Sequence, residues 1–591
     1  MYPLEKDGLL PAPAPVRQAS RLALSKSFCF LLATVCAGIA LYILGPQCLS
    51  RQFVASYGEV TLKEVLCPQE SPLVPSESGE LWKELSETYG TKEFFLQAVE
   101  LLVGAVKVPT ESFDKMAPVG QDPRWEVFAP FHDYLLVTFP NVHATLKLTK
   151  VNTYGLVYVW EGLDASLKPL LLTAHQDVVP VNPETVAEWV HPPFSGYFDG
   201  ERIWGRGSFD DKSVLISIMT TVETLIEKDF KPARTVFLAF GFDEETDGLH
   251  GASAISKYLL ETYGENAFSM LVDEGGLYGV EYGQAYATVG TTEKGAVDVR
   301  VEVASPGGHS SIPPAHTSIG ILSQLLVHIE SQPYKAELKR GTPMYQMAQC
   351  LAAHAPELPS KVRKAIEKAD KSDKALKAAE KALFTDIRFK ALAGTTQAVD
   401  LVQGGVKANA LPENAWAVVN HRIATDSSVG ATQEHDTKLL LHLARQFNLS
   451  YSAFGQQIGD ADAPAYGTLT LSDAWNTALE PAPVTPSAGG DAGAFRLLAG
   501  TIKTVYQVHR NVTDGETVIV SPGIMSGNTD TRYYWQLTKN IFRYSHWWTG
   551  TESGLMGGTH SVNEFIFADG FLEMIRFYTA LVLNADESQS I

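Results

Sequence analysis

The sequence predicts an α/β protein: a larger α/β domain interrupted by a smaller α+β one, behind a single N-terminal transmembrane helix. Three observations predict it. From residue 76 onward, short apolar runs alternate with helical stretches, the pattern of a sheet with substantial parallel character. Near residue 291 the alternation changes, and it resumes after 455. Upstream, Phe28 to Gly45 (FCFLLATVCAGIALYILG) carries no charge.

That uncharged run would span ~27 Å as a helix, close to the hydrocarbon thickness of an internal membrane. Lys6, Arg17, Arg21 and Lys26 precede it, and the next basic residue is Arg51. The positive-inside rule then predicts residues 1–27 as a cytosolic tail, 28–45 as an uncleaved type II anchor, and the remainder in a lumen. A cleaved signal peptide is the competing reading, but its apolar region and its basic leader would both be unusually long. Asn448-Leu-Ser450 and Asn511-Val-Thr513 are glycosylation acceptors, which suits a lumenal body. Residues 46–75 read as a tether rich in turn formers.

LWKELSETYG and TKEFFLQAVELLVGAV then read as helices, and HATLKLTKV, LVYVWEG, PLLLTAH, TVFLAFGF and SMLVDEGG as strands. KSVLISIMTTVETLIEKD and GASAISKYLLETYG are the helices between the later strands. Residues 76–291 thus form the first part of the larger domain. Residues 292–455 form the smaller one: AVDVRVEVA, TTQAVDLVQGG, AWAVVNHRI and LSYSAFG are its strands, and SIGILSQLLVHIES and EHDTKLLLHLARQF are helices. The Lys/Ala-rich stretch KVRKAIEKADKSDKALKAAEKAL reads as helical with a solvated charged face. Residues 456–591 return to the larger domain.

Composition narrows the function. Acids outnumber Lys and Arg by 67 to 47, for a net charge of −20, which argues against nucleic acid as a partner because phosphate binding needs a basic face. An apolar fraction of 45% excludes a disordered chain. Five cysteines in 591 residues cannot form a disulfide framework.

The acids and histidines fall where chemistry could use them. PLLLTA ends in His175-Gln-Asp177, TVFLAFGF leads into Asp243-Glu244-Glu245, SMLV ends in Asp273-Glu274, and IWGRGSF runs into Asp210-Asp211. In α/β sheets, ligands bind outside the carboxyl ends of strands, so these groups would converge on one edge. A His-x-Asp pair on a strand shares one face. Imidazole and carboxylate donors suit zinc, and a carboxylate can bridge two such ions that together activate water and polarise a carbonyl. No G-x-S-x-G elbow, H-E-x-x-H, Walker loop or strand-linked G-x-G-x-x-G competes with this reading.

Taken together, HQDVVPV (175–181), HPPFSG (191–196), WGRGSFDDK (204–212), FDEE (242–245), VDEGG (272–276), PGGHSS (306–311) and GGTHSVNE (557–564) resemble the M20 family of two-zinc peptidases and aminoacylases. Within it the chain resembles the fungal vacuolar carboxypeptidase S (Gly-X carboxypeptidase) group, which shares the N-terminal anchor. The resemblance implies a catalytic α/β domain with two Zn2+ at the strand ends, and a smaller α+β lid or dimerisation domain that pairs into a homodimer. It implies a single-pass protein of the vacuolar membrane with its body in the lumen. It also implies a role for each matching residue. His175 and Asp273 bind one zinc and Asp177 orients His175, although some members use the residue matching Glu274 in place of Asp273. Asp210 bridges both ions, the Asp210–Asp211 peptide is cis, Glu245 and His560 hold the second zinc, and Glu244 is the general base. His309 stabilises the oxyanion, and Asn409, Arg422 and Arg532 hold a substrate carboxylate. The implied reaction releases C-terminal residues from short peptides, such as those with Gly next to last; the alternative is hydrolysis or synthesis of N-acyl amino acids.

Overall fold

A computed structural model describes residues 66–459, 465–512, 517–548 and 557–591. Its central feature is an eight-stranded sheet in the spatial order 147–151, 155–160, 236–241, 170–175, 270–281, 541–548, 284–293, 519–525. Leu170–His175 pairs in parallel with both Val236–Gly241 and Met270–Glu281, so the carboxyl ends of the first two strands meet Asp273 and Glu274 of the third on one edge. Leu170–His175 and Val236–Gly241 are buried at every position because both faces are covered. Leu170, Leu172, Leu238 and Phe240 point into the larger core, beneath helices Lys212–Glu227, Gly493–Arg510 and Ala568–Glu587. The intervening Leu171, Phe237 and Ala239 point the other way, toward helix Ala252–Tyr263. The period of two in the sequence is thus spent on two different cores.

A six-stranded sheet follows the order 398–404, 414–423, 295–304, 467–473, 449–453, 456–458. Strand Gly295–Ala304 alternates buried with half-buried residues, as expected of an antiparallel sheet covered on one face. Val297, Val299, Val301 and Val303 meet Ile321, Leu325 and Leu440 from helices Ser318–Ser331 and Val429–Gln446. Lys294 alone separates Gln284–Glu293 of the first sheet from Gly295–Ala304 of the second. Strand Gly467–Asp473 pairs with Gly295–Ala304, so the second sheet draws on residues beyond 455.

The Lys/Ala-rich stretch forms two helices, Ser360–Ala369 and Asp373–Leu383, and Ser372 caps the second through its hydroxyl to Ala375 N–H at 3.2 Å. With Pro343–His354 they bury Met344, Ile366 and Leu376 in one core with Tyr286, Ile519 and Ile524 at the edge of the eight-stranded sheet. Cys67 and Cys350 form a disulfide across 283 residues. Few cysteines excluded a framework, but a single long-range bridge needs only two.

The expected membrane anchor requires correction. Among the described residues no helix is long and apolar enough to cross a membrane. The longest helix, Ala568–Glu587, carries Asp569, Glu573, Arg576 and Asp586 and is buried in the core by its apolar side chains. The N-terminal transmembrane helix of the expected fold, and the single-pass vacuolar-membrane location built on it, are therefore withdrawn. Residues 1–27, 28–45 and most of 46–75 lie outside the described residues.

Candidate active site

The site grows out of this edge of the three parallel strands. His175 is the last residue of its strand; its Nδ1 lies 3.0 Å from the Asp177 carbonyl and 3.2 Å from Asp177 Oδ1. The Asp177 carboxylate also accepts the backbone N–H groups of Glu244 and Glu245, each at 3.1 Å, and the Ser112 hydroxyl at 2.7 Å. One buried carboxylate thus fixes both the imidazole and the turn that follows Val236–Gly241. This is how a donor's outer partner sets its tautomer and direction.

On its other side, His175 Nε2 lies 3.2 Å from Asp210 Oδ1 and 3.5 Å from Glu274 Oε1. The second oxygen of Asp210 lies 3.2 Å from His560 Nε2, which is also 3.1 Å from Glu245 Oε2. Asp210 therefore spans two donor groups with one oxygen toward each. Asp211 Oδ2 accepts the His175 backbone N–H at 3.3 Å, and the Asp210–Asp211 peptide is cis. Two sets of donors lie within 4.8 Å of one another: His175, Asp211 and Glu274; and His175, Asp210 and Glu245.

Asp273 and Glu274 are neighbours on one strand and face different partners. Leu172 pairs with Val272, which sets Asp273 beside Thr173, and Asp273 Oδ1 accepts the Thr173 hydroxyl at 2.7 Å. Its Oδ2 is buried with no hydrogen-bond partner among the described residues. Glu274 faces His175 instead. The glycines that follow admit the neighbouring strand: a Cβ on Gly276 would lie 1.9 Å from the Thr288 carbonyl, and one on Gly275, at φ 144°, would lie 2.5 Å from Arg543 Cβ.

The crowding of acids dominates the electrostatics. Burial pushes Glu244 well above the ordinary carboxylate range, and Asp530, Glu245 and Asp177 add to the effect against the attraction of His175. Burial raises Glu274 likewise, with Asp210 and Asp211 contributing. Burial opposes charge on His175, yet Glu274, Asp177 and Asp210 hold its pKa well above the usual histidine value. His560 is raised to about 10 by its contacts with Asp210 and Glu245. So many buried carboxylates around two imidazoles form a strongly cation-seeking cluster.

The remaining expected residues lie on other elements. His309 sits in a two-residue strand paired with Ala410, and the Asn409 carbonyl accepts the Ser310 N–H at 3.3 Å. His309 and Asn409 therefore lie together on one exposed ribbon. Neither has a hydrogen bond or ion pair to the His175 group among the described residues. Arg422, at the end of strand Asn414–Ile423, donates to Asn528 Oδ1 at 2.9 Å. Arg532 pairs with Asp247 at 3.2 Å. Sequence reasoning gave no role to Asp211, Asp530 or Glu564. Asp530 is buried, and burial together with Asp243 and Asp273 raises its pKa well above the usual value. Glu564 Oε1 accepts the N–H groups of Gly207, Phe209 and Asp210 at 2.9, 3.1 and 3.2 Å, while Oε2 pairs with Arg206 at 2.6 Å. It ties the His560 loop to the Asp210 loop, and its place in GGTHSVNE was the signal available for it.

Residues 171–584 match Peptidase family M20/M25/M40. Carboxypeptidase S of Saccharomyces cerevisiae is 38% identical over 90% of this chain and 91% of its own. The N-fatty-acyl-amino acid synthase/hydrolase of Mus musculus is 30% identical over 82% of this chain and 87% of its own. In fold, the chain resembles human carnosine dipeptidase 1 with a TM-score of 0.58 at 13% identity, covering 86% of this chain and 99% of that one. With the family match and the carboxypeptidase similarity both extending over most of its length, the chain belongs to peptidase family M20/M25/M40.

Proposed function

We propose that the chain is a zinc-dependent carboxypeptidase that releases C-terminal amino acids from short peptides, including those with Gly next to last. The observation that carries this is Asp210, whose two oxygens each face a different histidine-containing donor group. The donor set fits divalent cations: imidazole and carboxylate groups suit zinc, and His175, Asp210, Glu245 and Glu274 contribute to two convergent groups of them. His175, Asp210 and Glu274 would hold one ion, in preference to Asp273, whose other oxygen is engaged by Thr173; Asp210, Glu245 and His560 would hold the second. When bound, such a pair supplies water activation and carbonyl polarisation.

The chain's own residues do the rest. Glu244, made more basic by its surroundings, accepts the proton of the attacking water and passes it to the leaving amine. Asp177 keeps His175 and the Glu244–Glu245 turn in register. His309 donates a hydrogen bond to the developing oxyanion, and Asn409, Arg422 and Arg532 grip the free carboxylate of the substrate. In this division of the chain, residues 292–455, whose sheet also takes in strand Gly467–Asp473, act as the lid or dimerisation domain between two parts of the catalytic domain, 76–291 and 456–591.

The similarity to an N-fatty-acyl-amino acid synthase/hydrolase supports a second reading, in which the acyl side is a fatty acid. Both readings share the amide bond and the free carboxylate, so a comparison of blocked Gly-Leu with a fatty-acyl leucine separates them. We expect leucine release from the dipeptide to be the faster. Preference for the fatty-acyl substrate would move the assignment to the second reading, and release from neither would reject both.

A further inference from the structure

We infer that Asn528 positions the Arg422 guanidinium to receive the free carboxylate of the substrate. This rests on the reading of Arg422 as a carboxylate anchor. Arg422 is half-buried, and among the described residues it forms no ion pair. Its partner is a neutral amide, Asn528 Oδ1 at 2.9 Å. A half-buried guanidinium normally seeks an acid. A second cation compounds the need: burial, and after it the Arg422 charge, lowers the pKa of Lys294, whose ammonium is committed to the Ala391 and Gly394 carbonyls at 2.7 and 2.6 Å. The arrangement leaves most of the Arg422 donor fork open to an incoming anion.

Asn528 can hold this fork because it is itself held. Its Nδ2 donates to the Lys294 carbonyl at 2.6 Å, at the one residue separating strands of the two sheets. The next residues are pinned more firmly. Thr529 donates its N–H and hydroxyl to Glu293 Oε1 at 3.0 and 2.8 Å, and Thr531 donates its hydroxyl to Glu293 Oε2 at 2.9 Å. Glu293 is in turn paired with Arg543 at 3.1 Å, both 1% exposed. The same loop carries Asp530, which is electrostatically linked to Asp243, Asp273 and His175. Asn528 thus joins the Arg422 strand to a rigid loop beside the metal-donor cluster. An amide suits this task. It accepts one Arg422 hydrogen without neutralising the charge, whereas an aspartate would satisfy the guanidinium internally and compete with the substrate.

The test uses the full-length, zinc-loaded chain and blocked Gly-Leu, comparing wild type, N528D, N528A, R422M and R422M/N528D. Melting temperature serves as the folding control. N528D is expected to raise KM by about tenfold or more, with kcat little changed, because a charge-assisted hydrogen bond to the substrate is replaced by an internal one. N528A should raise KM less. In the R422M background, whose own KM is raised, N528D should have no further effect. If N528D and N528A match wild-type KM while R422M raises it, Asn528 has no positioning role and the inference falls alone. If R422M leaves KM unchanged, the carboxylate-anchor reading falls and the inference falls with it. A merely structural Asn528 would lower melting temperature and kcat without this dependence on Arg422.

Discussion

Replacing Glu244 with Gln removes a proton acceptor and disturbs little else. The main-chain N–H of residue 244 donates to Asp177 Oδ1 at 3.1 Å, and a side-chain amide leaves that bond in place. Glutamine has nearly the same shape as glutamate, so the half-buried position stays filled. Neither of the two groups of convergent donors includes Glu244, so metal retention should survive. What is lost is the basicity that burial and the neighbouring Asp530, Glu245 and Asp177 confer against the pull of His175. General-base catalysis contributes about 10²- to 10⁴-fold, equivalent to roughly 3–5 kcal/mol of barrier. Leucine release from blocked Gly-Leu gives kcat and KM, and elemental analysis gives zinc per chain. We expect kcat to fall by at least about a hundredfold, with KM within about threefold and zinc content unchanged. A kcat within tenfold of wild type would refute the assignment of Glu244 as the base, and loss of zinc would make it a ligand instead.

Other perturbations test separate parts of the account. E564Q leaves the buried Arg206 guanidinium without a charged partner and should cost about 3–5 kcal/mol in denaturant unfolding; a cost below ~1 kcal/mol would show that Glu564 does not organise the Asp210 loop. Peptide mapping without reductant should find Cys67 joined to Cys350, and C67S/C350S should lower stability by about 2–4 kcal/mol; Cys67 and Cys350 both recovered as free thiols from the native protein would contradict the bridge. His132 Nδ1 accepts from the Lys150 ammonium and its Nε2 donates to Gln176 Oε1, each at 2.9 Å, and burial together with the Lys150 charge lowers its pKa to about 4. The folded state therefore keeps it neutral while the unfolded chain takes up a proton below about pH 6.5. Its contribution is fully present above pH 6.5 and declines by up to about 3 kcal/mol as the pH falls to 4. H132Q should flatten that part of the stability profile, and an identical slope in the variant would disprove the assignment.

Much of the fold was legible because apolar runs of strand length stood between helical stretches. PLLLTAH, TVFLAFGF and SMLVDEGG became the three parallel strands whose ends carry the cluster. Their convergence followed from topology, so His175, Asp210 and Glu245 could be brought together without any contact in view, and the resemblance carried by GGTHSVNE added His560. The choice between Asp273 and Glu274 could not be read, since adjacent strand residues face opposite sides and the strand pairing, with Thr173 as neighbour, assigns each its direction. GTLTLSD has the alternation of a half-buried strand, and this was available as a sign that residues 467–473 belong to the second sheet. The Cys67–Cys350 bridge, the Asn528–Arg422 bond and the Glu293–Arg543 pair join residues more than a hundred positions apart. No local pattern encodes them. The apolar run at 28–45 matched the length and charge asymmetry of an anchor, but no described helix has that character.

Two cations held in the His175–Asp210–His560 cluster are expected to drive the removal of a C-terminal residue. The most direct test strips the chain with a chelator and titrates zinc back while following both metal bound and leucine released from blocked Gly-Leu. The account predicts two zinc ions per chain and recovery of activity as they bind, with the amidated dipeptide left uncleaved. Full carboxypeptidase activity in the stripped protein, or no zinc bound at stoichiometric concentration, would contradict it.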